Sequence, residues 1–132
     1  MRLLQIAVAF SLLGLPLLAE PTPQTQVFQT SAGPVKITPM IHASTLIQAG
    51  DKIIYVDPAR LPSTAGLAPA DFILISDIHG DHMDPAALAA LSKDSTVIYV
   101  PPAVQTTVTK AVAISNGETR KWDKVMLAAN IR

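Results

Sequence analysis

Apolar and polar positions alternate in three short runs between residues 35 and 56. Residues 35–40 (VKITPM) alternate with a period of two, residues 43–48 (ASTLIQ) follow, and residues 53–56 (IIYV) close the set. Successive side chains of a strand point to opposite faces, so each run predicts a strand. The short Ala49-Gly50-Asp51-Lys52 link predicts a tight turn, and the three runs together predict an antiparallel meander. Asp57-Pro58 stops the third strand, and residues 59–69, rich in Pro, Gly, Ser and Ala, read as loop. Residues 71–76 (DFILIS) predict a strand buried on both faces, because its core is a continuous apolar run. Asp84 then offers an N-cap and Pro85 a first-turn residue, so residues 85–91 predict a helix. Residues 96–100 (TVIYV) predict a fifth strand, broken by Pro101-Pro102. Residues 103–111 predict a second helix, weakened by its β-branched side chains. Asn116-Gly117 predicts a turn, with strands at 119–122 and 124–127. Strands first, then strands alternating with helices, predict an α/β domain: a mixed sheet with helices on one face. The sequence reaches Arg132 just after a strand-like segment with no covering helix. The expectation is therefore a domain that lacks its C-terminal half.

The N-terminal pattern is different. Arg2 precedes an apolar run over residues 3–18, and Leu-Leu-Ala at 17–19 is followed by the polar, proline-bearing start Glu20-Pro21. That is the layout of a secretory signal, and Pro16 and the short length argue against a spanning helix. The expected organisation is a signal peptide at 1–19, a linker at 20–33 and a domain at 34–132. The expected location is exported, periplasmic or secreted, with no stable membrane insertion after cleavage.

Composition adds exclusions. The formal charge is zero over 132 residues, which gives no electrostatic footprint for nucleic acid. The expected partner is a small-molecule substrate. Cysteine is absent, so disulfides, thiolate metal ligands and a cysteine nucleophile are excluded.

Two of the three histidines and several acids stand together in Asp77-Ile-His79-Gly-Asp81-His82-Met-Asp84. Imidazoles and carboxylates at the end of an apolar strand are costly to bury unless paired or bound to metal. Alternation at a strand end lets Asp77 and His79 converge, Gly80 permits a turn, and Asp81 and His82 then face a second point. Neutral imidazole and carboxylate are suitable zinc ligands, and a catalytic zinc takes about three from protein. Such a metal lowers the pKa of bound water to about 7, and two metals about 3.5–4 Å apart would share the hydroxide. The alternative is a solvated turn. For Asp84 capping is the expected role, and for Asp77 ligation and turn capping both stay open.

This stretch resembles the H-x-H-x-D-H signature of the metallo-β-lactamase-fold hydrolases. Ile41 to Ile47, Gly50 and Ile54-Tyr55-Val56-Asp57-Pro58 are similar to the opening strands of the branch that includes ascorbate-phosphate lactonase-like enzymes. Asn116-Gly117-Glu118-Thr119 resembles the turn that begins the next strand pair. The resemblance implies the N-terminal half of an αββα sandwich. It implies His79 as a ligand of a first metal, and Asp81 and His82 as ligands of a second, with Asp81 also orienting the nucleophile. It implies Asp57 as a supporting group behind the ligands. His42 lies where this branch often carries a histidine near the cleft, and a plain hydrogen-bonded histidine is equally compatible with that position. Asp77 stands where the family has its first histidine, so the cofactor expectation is one or two zinc ions, with manganese or iron as harder alternatives. No histidine follows His82, and the acids beyond Asp84 are Asp94, Glu118 and Asp123. The family's later ligands are therefore not supplied. The expected function is metal-dependent hydrolysis of an ester, phosphoester, lactone or amide. The competing expectation is an inactive fragment or a metal- or partner-binding module.

Overall fold

In the computed structural model, residues 24–123 and 125–129 are described. The alternating runs form β2 (Gly33–Pro39), β3 (Thr45–Ala49) and β4 (Lys52–Val56), the expected antiparallel meander. Gly50 closes the β3–β4 hairpin at φ +61, a backbone conformation that costs glycine little. The meander is preceded by β1 (Gln26–Thr30), which pairs antiparallel with β2. This corrects the expected linker over 20–33. Every residue of β1 is exposed, Val27 and Phe28 included, so it has no burial pattern to betray it. It is held by its ladder to β2 and by the Thr25–Thr38 hydroxyl contact of 2.8 Å.

The next strands are β5 (Phe72–Leu74), β6 (Val97–Val100) and β7 (Val112–Ala113). They run parallel to β4 and to one another, giving a seven-stranded sheet in the order β1-β2-β3-β4-β5-β6-β7. Parallel neighbours need long crossovers, and β5 reaches β6 through α1 (Pro85–Leu91). The alternating faces of the central strands are both used. Ile73, Ile75, Ile98 and Val100 face a core shared with Leu88 and Leu91 of α1 and with Val104. Full burial of side chains like Leu88 and Leu91 contributes about 1.5–3 kcal/mol each. Phe72 and Tyr99 face the other way and pack edge to face, with ring centroids 5.3 Å apart.

That second face is covered by a hairpin, β8 (Thr119–Trp122) with β9 (Val125–Ala128), whose Trp122 ring lies 4.9 Å from Phe72. The helices thus share one face, as the pattern predicts. The expected helix over 103–111 shrinks to α2 (Pro102–Gln105). The β-branched run Thr106-Thr107-Val108-Thr109 resists helix, and buried Val104 pins the short turn to the core. The strand expected over 71–76 is regular at 72–74, and Asp71 and Ile75 extend its hydrogen bonds to the neighbouring strands, with Asp71 N donating to Ile53 O (2.8 Å) and Ile75 N to Tyr99 O (3.0 Å). Residues 76–84 leave the sheet at the C-terminal end of the parallel strands. The expected signal at 1–19 lies outside the described residues. Among those residues no helix is long and apolar enough to cross a membrane.

Candidate metal centre

The site is built around the switch from antiparallel to parallel pairing. β4 ends at Val56, and the backbone N–H of the next residue, Asp57, donates to Leu74 O (2.8 Å) and so ties it to the end of β5. Asp57 adopts φ +46, a left-handed conformation that aspartate tolerates better than most residues. A buried serine holds the bend. Ser44 shares its hydroxyl proton between Asp57 O (2.7 Å) and Ala59 O (2.9 Å), and accepts from Ala59 N (3.0 Å).

The Asp57 carboxylate turns toward the end of β5. Its Oδ1 accepts Ser76 N (2.6 Å), and its Oδ2 accepts the Ser76 hydroxyl (2.6 Å) and faces His82 Nδ1 at 3.0 Å. The Ser76 hydroxyl lies 3.1 Å from the same ring nitrogen. The hydrogen bond to Asp57 raises the His82 pKa above its usual value, with the nearby carboxylates adding to it and partial burial opposing. The Asp57 side chain is 6% exposed, so the pair is anchored on its interior side.

The second imidazole is held locally. Asp77 Oδ1 accepts the backbone N–H of His79 (3.1 Å) and lies 2.5 Å from His79 Nδ1. These bonds to His79 lower the Asp77 pKa below the usual carboxylate range. The chain then winds through one turn, with His82 N and Met83 N both donating to His79 O (2.9 and 3.0 Å). Gly80, expected to permit a sharp turn, is not left-handed, and a Cβ there would meet nothing within 4 Å. The turn comes from these two bonds instead. Arg60 reaches over it and donates from Nε to Gly80 O (3.4 Å).

Asp81 Oδ2 faces His82 Nε2 at 3.9 Å. Asp84 caps α1, with Oδ1 accepting from Ala86 N (2.9 Å) and Ala87 N (3.5 Å). His42 lies exposed at φ +50 on the turn before β3. The structure therefore brings Asp57, Asp81 and His82 into one chain of contacts, and Asp77 and His79 into a pair. Among the described residues no group of three or more His, Cys, Asp or Glu side chains closes around a common metal position. The chemistry of the donors nevertheless fits a metal. Both imidazoles have Nδ1 taken up by a carboxylate, which in the neutral ring leaves Nε2 as a lone-pair donor.

Ser44 and Ser76 were not singled out by the sequence patterns. Ser76 is the first polar residue after the apolar strand, and Ser44 sits two residues from His42, which is the only local signal of either role. Beside Ser76, a largely apolar cavity of about 310 Å³ opens between Leu74, Pro101, Ile114 and Leu127. A larger hollow, about 460 Å³, lies between α1 and residues 107–110 and touches none of the candidate site residues.

Residues 36–129 match the family described as Beta-lactamase superfamily domain. A solved structure of a candidate metal-dependent hydrolase from Parabacteroides distasonis ATCC 8503 is 33% identical, with a TM-score of 0.71 over 74% of this chain and 46% of its own length. Igni18, a metallo hydrolase from the archaeon Ignicoccus hospitalis KIN4/I, shares the fold at 17% identity and a TM-score of 0.55. That match covers 67% of this chain and 43% of that one. No protein of curated function matches.

Proposed function

The chain belongs to the metallo-β-lactamase superfamily, and from that premise we propose that it contributes one part of the metal centre of a hydrolase. The metal-dependent hydrolase relatives imply a metal cofactor. His79 and His82 would hold it through Nε2 and Asp81 through its carboxylate, with Asp77 the remaining candidate from the motif. We favour zinc, with manganese or iron as alternatives, because the donors are imidazole and carboxylate without thiolate. A bound divalent metal supplies Lewis-acid polarisation and brings the pKa of its water toward about 7, the chemistry of ester, phosphoester, lactone or amide hydrolysis.

The chain's own residues have separable tasks. Asp57 and Ser76 fix the His82 ring. Asp81, half-exposed beside Nε2 of His82, orients an attacking water and holds its proton. The apolar cavity beside Ser76 excludes water and receives a nonpolar part of the substrate. His42, on an exposed turn, is available to a substrate at the rim. The chain spans 46% and 43% of the two solved neighbours. We propose that the ligands completing the centre lie in the part of those folds this chain does not cover, and that the protein is exported.

The observation that carries this reading is the doubled imidazole–carboxylate arrangement at the ends of parallel strands. Calorimetric titration of the 132-residue chain with zinc and with manganese tests it. We expect weak binding, poor turnover, and loss of bound metal in His79→Ala and His82→Ala. Unchanged metal content in both variants would reduce the motif to a turn, and tight binding of two equivalents would show the ligand set to be complete. One observation favours a second reading, a non-catalytic metal- or partner-binding module: the chain spans less than half the length of the two solved neighbours. Metal binding without hydrolysis in a chain extended to its neighbours' length would select it.

A further inference from the structure

We propose that Asp77 is a positioning residue rather than a ligand: it holds His79 as the Nδ1–H tautomer and turns its Nε2 outward to receive the metal. The proposal rests on His79 being a ligand. It departs from the role that the motif position suggests, since the resembling signature has a ligating histidine where this chain has Asp77.

The geometry points this way for three reasons. A single carboxylate oxygen, Oδ1, takes both the backbone N–H of His79 (3.1 Å) and its ring Nδ1 (2.5 Å). An ionised carboxylate accepts only, so the nitrogen facing it must carry the proton, and in the neutral ring Nε2 then carries the lone pair. The His79 side chain is 76% exposed, so packing does little to fix the ring, and among the described residues its side-chain hydrogen bond is to Asp77. An exposed side chain loses rotamer freedom when it is fixed for binding, and Asp77 removes part of that cost in advance. Finally, the other imidazole has the same arrangement. His82 also meets a carboxylate at Nδ1, but from Asp57, 25 residues away. With a histidine at position 77, the local carboxylate that orients His79 would be gone. The substitution in this chain thus exchanges one donor to the metal for a fixed second donor.

The test separates this role from ligation and from the metal reading itself. Long-range nitrogen–proton NMR of the metal-free chain, at a pH where the ring nitrogen shifts themselves show neutral imidazole, should show His79 as the Nδ1–H tautomer. Asp77→Ala should move His79 toward the Nε2–H form, Asp77→Asn should restore the original form in part, and His82 should be unaffected in both. In titrations with zinc, Asp77→Ala should weaken binding by about 10–100-fold, the usual cost of losing a ligand's hydrogen-bond partner. The absorption bands of the cobalt-loaded chain should keep their positions, because the donor set is unchanged. A His79 tautomer indifferent to Asp77→Ala overturns the proposal, as does a shift of the cobalt bands, which would make Asp77 a ligand. A wild-type chain that binds neither zinc nor cobalt overturns the metal reading, while the tautomer measurement still decides whether Asp77 sets the ring. Far-UV circular dichroism of each variant controls for folding.

Discussion

The two histidines of the motif are both hydrogen-bonded to an aspartate, yet they are attached to the molecule in opposite ways. His79 is held by Asp77, two residues back, in an exposed loop. His82 is held by Asp57, which is buried and itself gripped by the backbone and hydroxyl of Ser76. One pair is a property of a few adjacent residues, and the other is a property of the whole sheet. Loss of the first should disturb a proposed ligand without disturbing the fold, whereas loss of the second should disturb both.

The largest effect should follow Asp57→Ala. It leaves Ser76 N without its acceptor and puts alanine at φ +46, where aspartate was tolerated. The half-buried bonds lost go to a charged acceptor, and such bonds contribute about 1.5–3 kcal/mol each, measurable by urea denaturation. Asp57→Asn keeps an acceptor and a residue that accepts this backbone, and should cost less. Equal stability of Asp57→Ala and wild type would break the contrast.

An intermediate effect should appear as pH dependence, with opposite sign for the two pairs. The folded pKa of His82 is raised, chiefly by Asp57. Its contribution to stability is complete below the unfolded value of about 6.5 and is lost as pH rises through the folded value. The folded pKa of Asp77 is lowered by its bonds to His79. Its contribution is present above the unfolded value of 3.8 and is lost as pH falls through the folded value. Asp71, lowered by its 2.6 Å bond to Lys93, shares that acid window, so the alkaline arm is the cleaner test. Unfolding midpoints measured from pH 6 to 9 should decline in wild type and stay flatter in Asp57→Asn.

The smallest effects should come from the exposed loop. Asp77→Ala should lower the unfolding midpoint only slightly at neutral pH, because its pair with His79 is exposed and screened, and Gly80→Ala should leave it where it was, since Gly80 is neither left-handed nor crowded. A large loss of stability in either variant would show the loop to be part of the fold's foundation.

The same contrast explains what could be read from the sequence. The meander, the doubly buried strand before Ser76 and the Asp84 cap follow from local rules of alternation, burial and capping, and they are found where those rules put them. Asp77 beside His79 is legible as a turn, because the bond spans two residues. The Ser44–Asp57–Ser76–His82 chain is not, because its members come from three separated segments that only the sheet brings together. Exposed β1 is illegible for a different reason: its stability comes from backbone pairing, which leaves no mark in the order of apolar residues. The shortened α2 shows the weakness the sequence contained, a β-branched run that tertiary contacts did not rescue.

The contacts of Asp57 also bear on the order of assembly. They join residues 19 and 25 positions apart, across a parallel pairing, while the β3–β4 hairpin closes over a two-residue turn. Closing long loops costs entropy before any contact repays it, so parallel pairing is slow relative to hairpin formation. We expect a refolding chain to rebuild the hairpin while His82 still tumbles freely. Pulsed hydrogen exchange should then protect the amide of Ile47 before that of Ser76, and simultaneous protection would contradict this sequence of events.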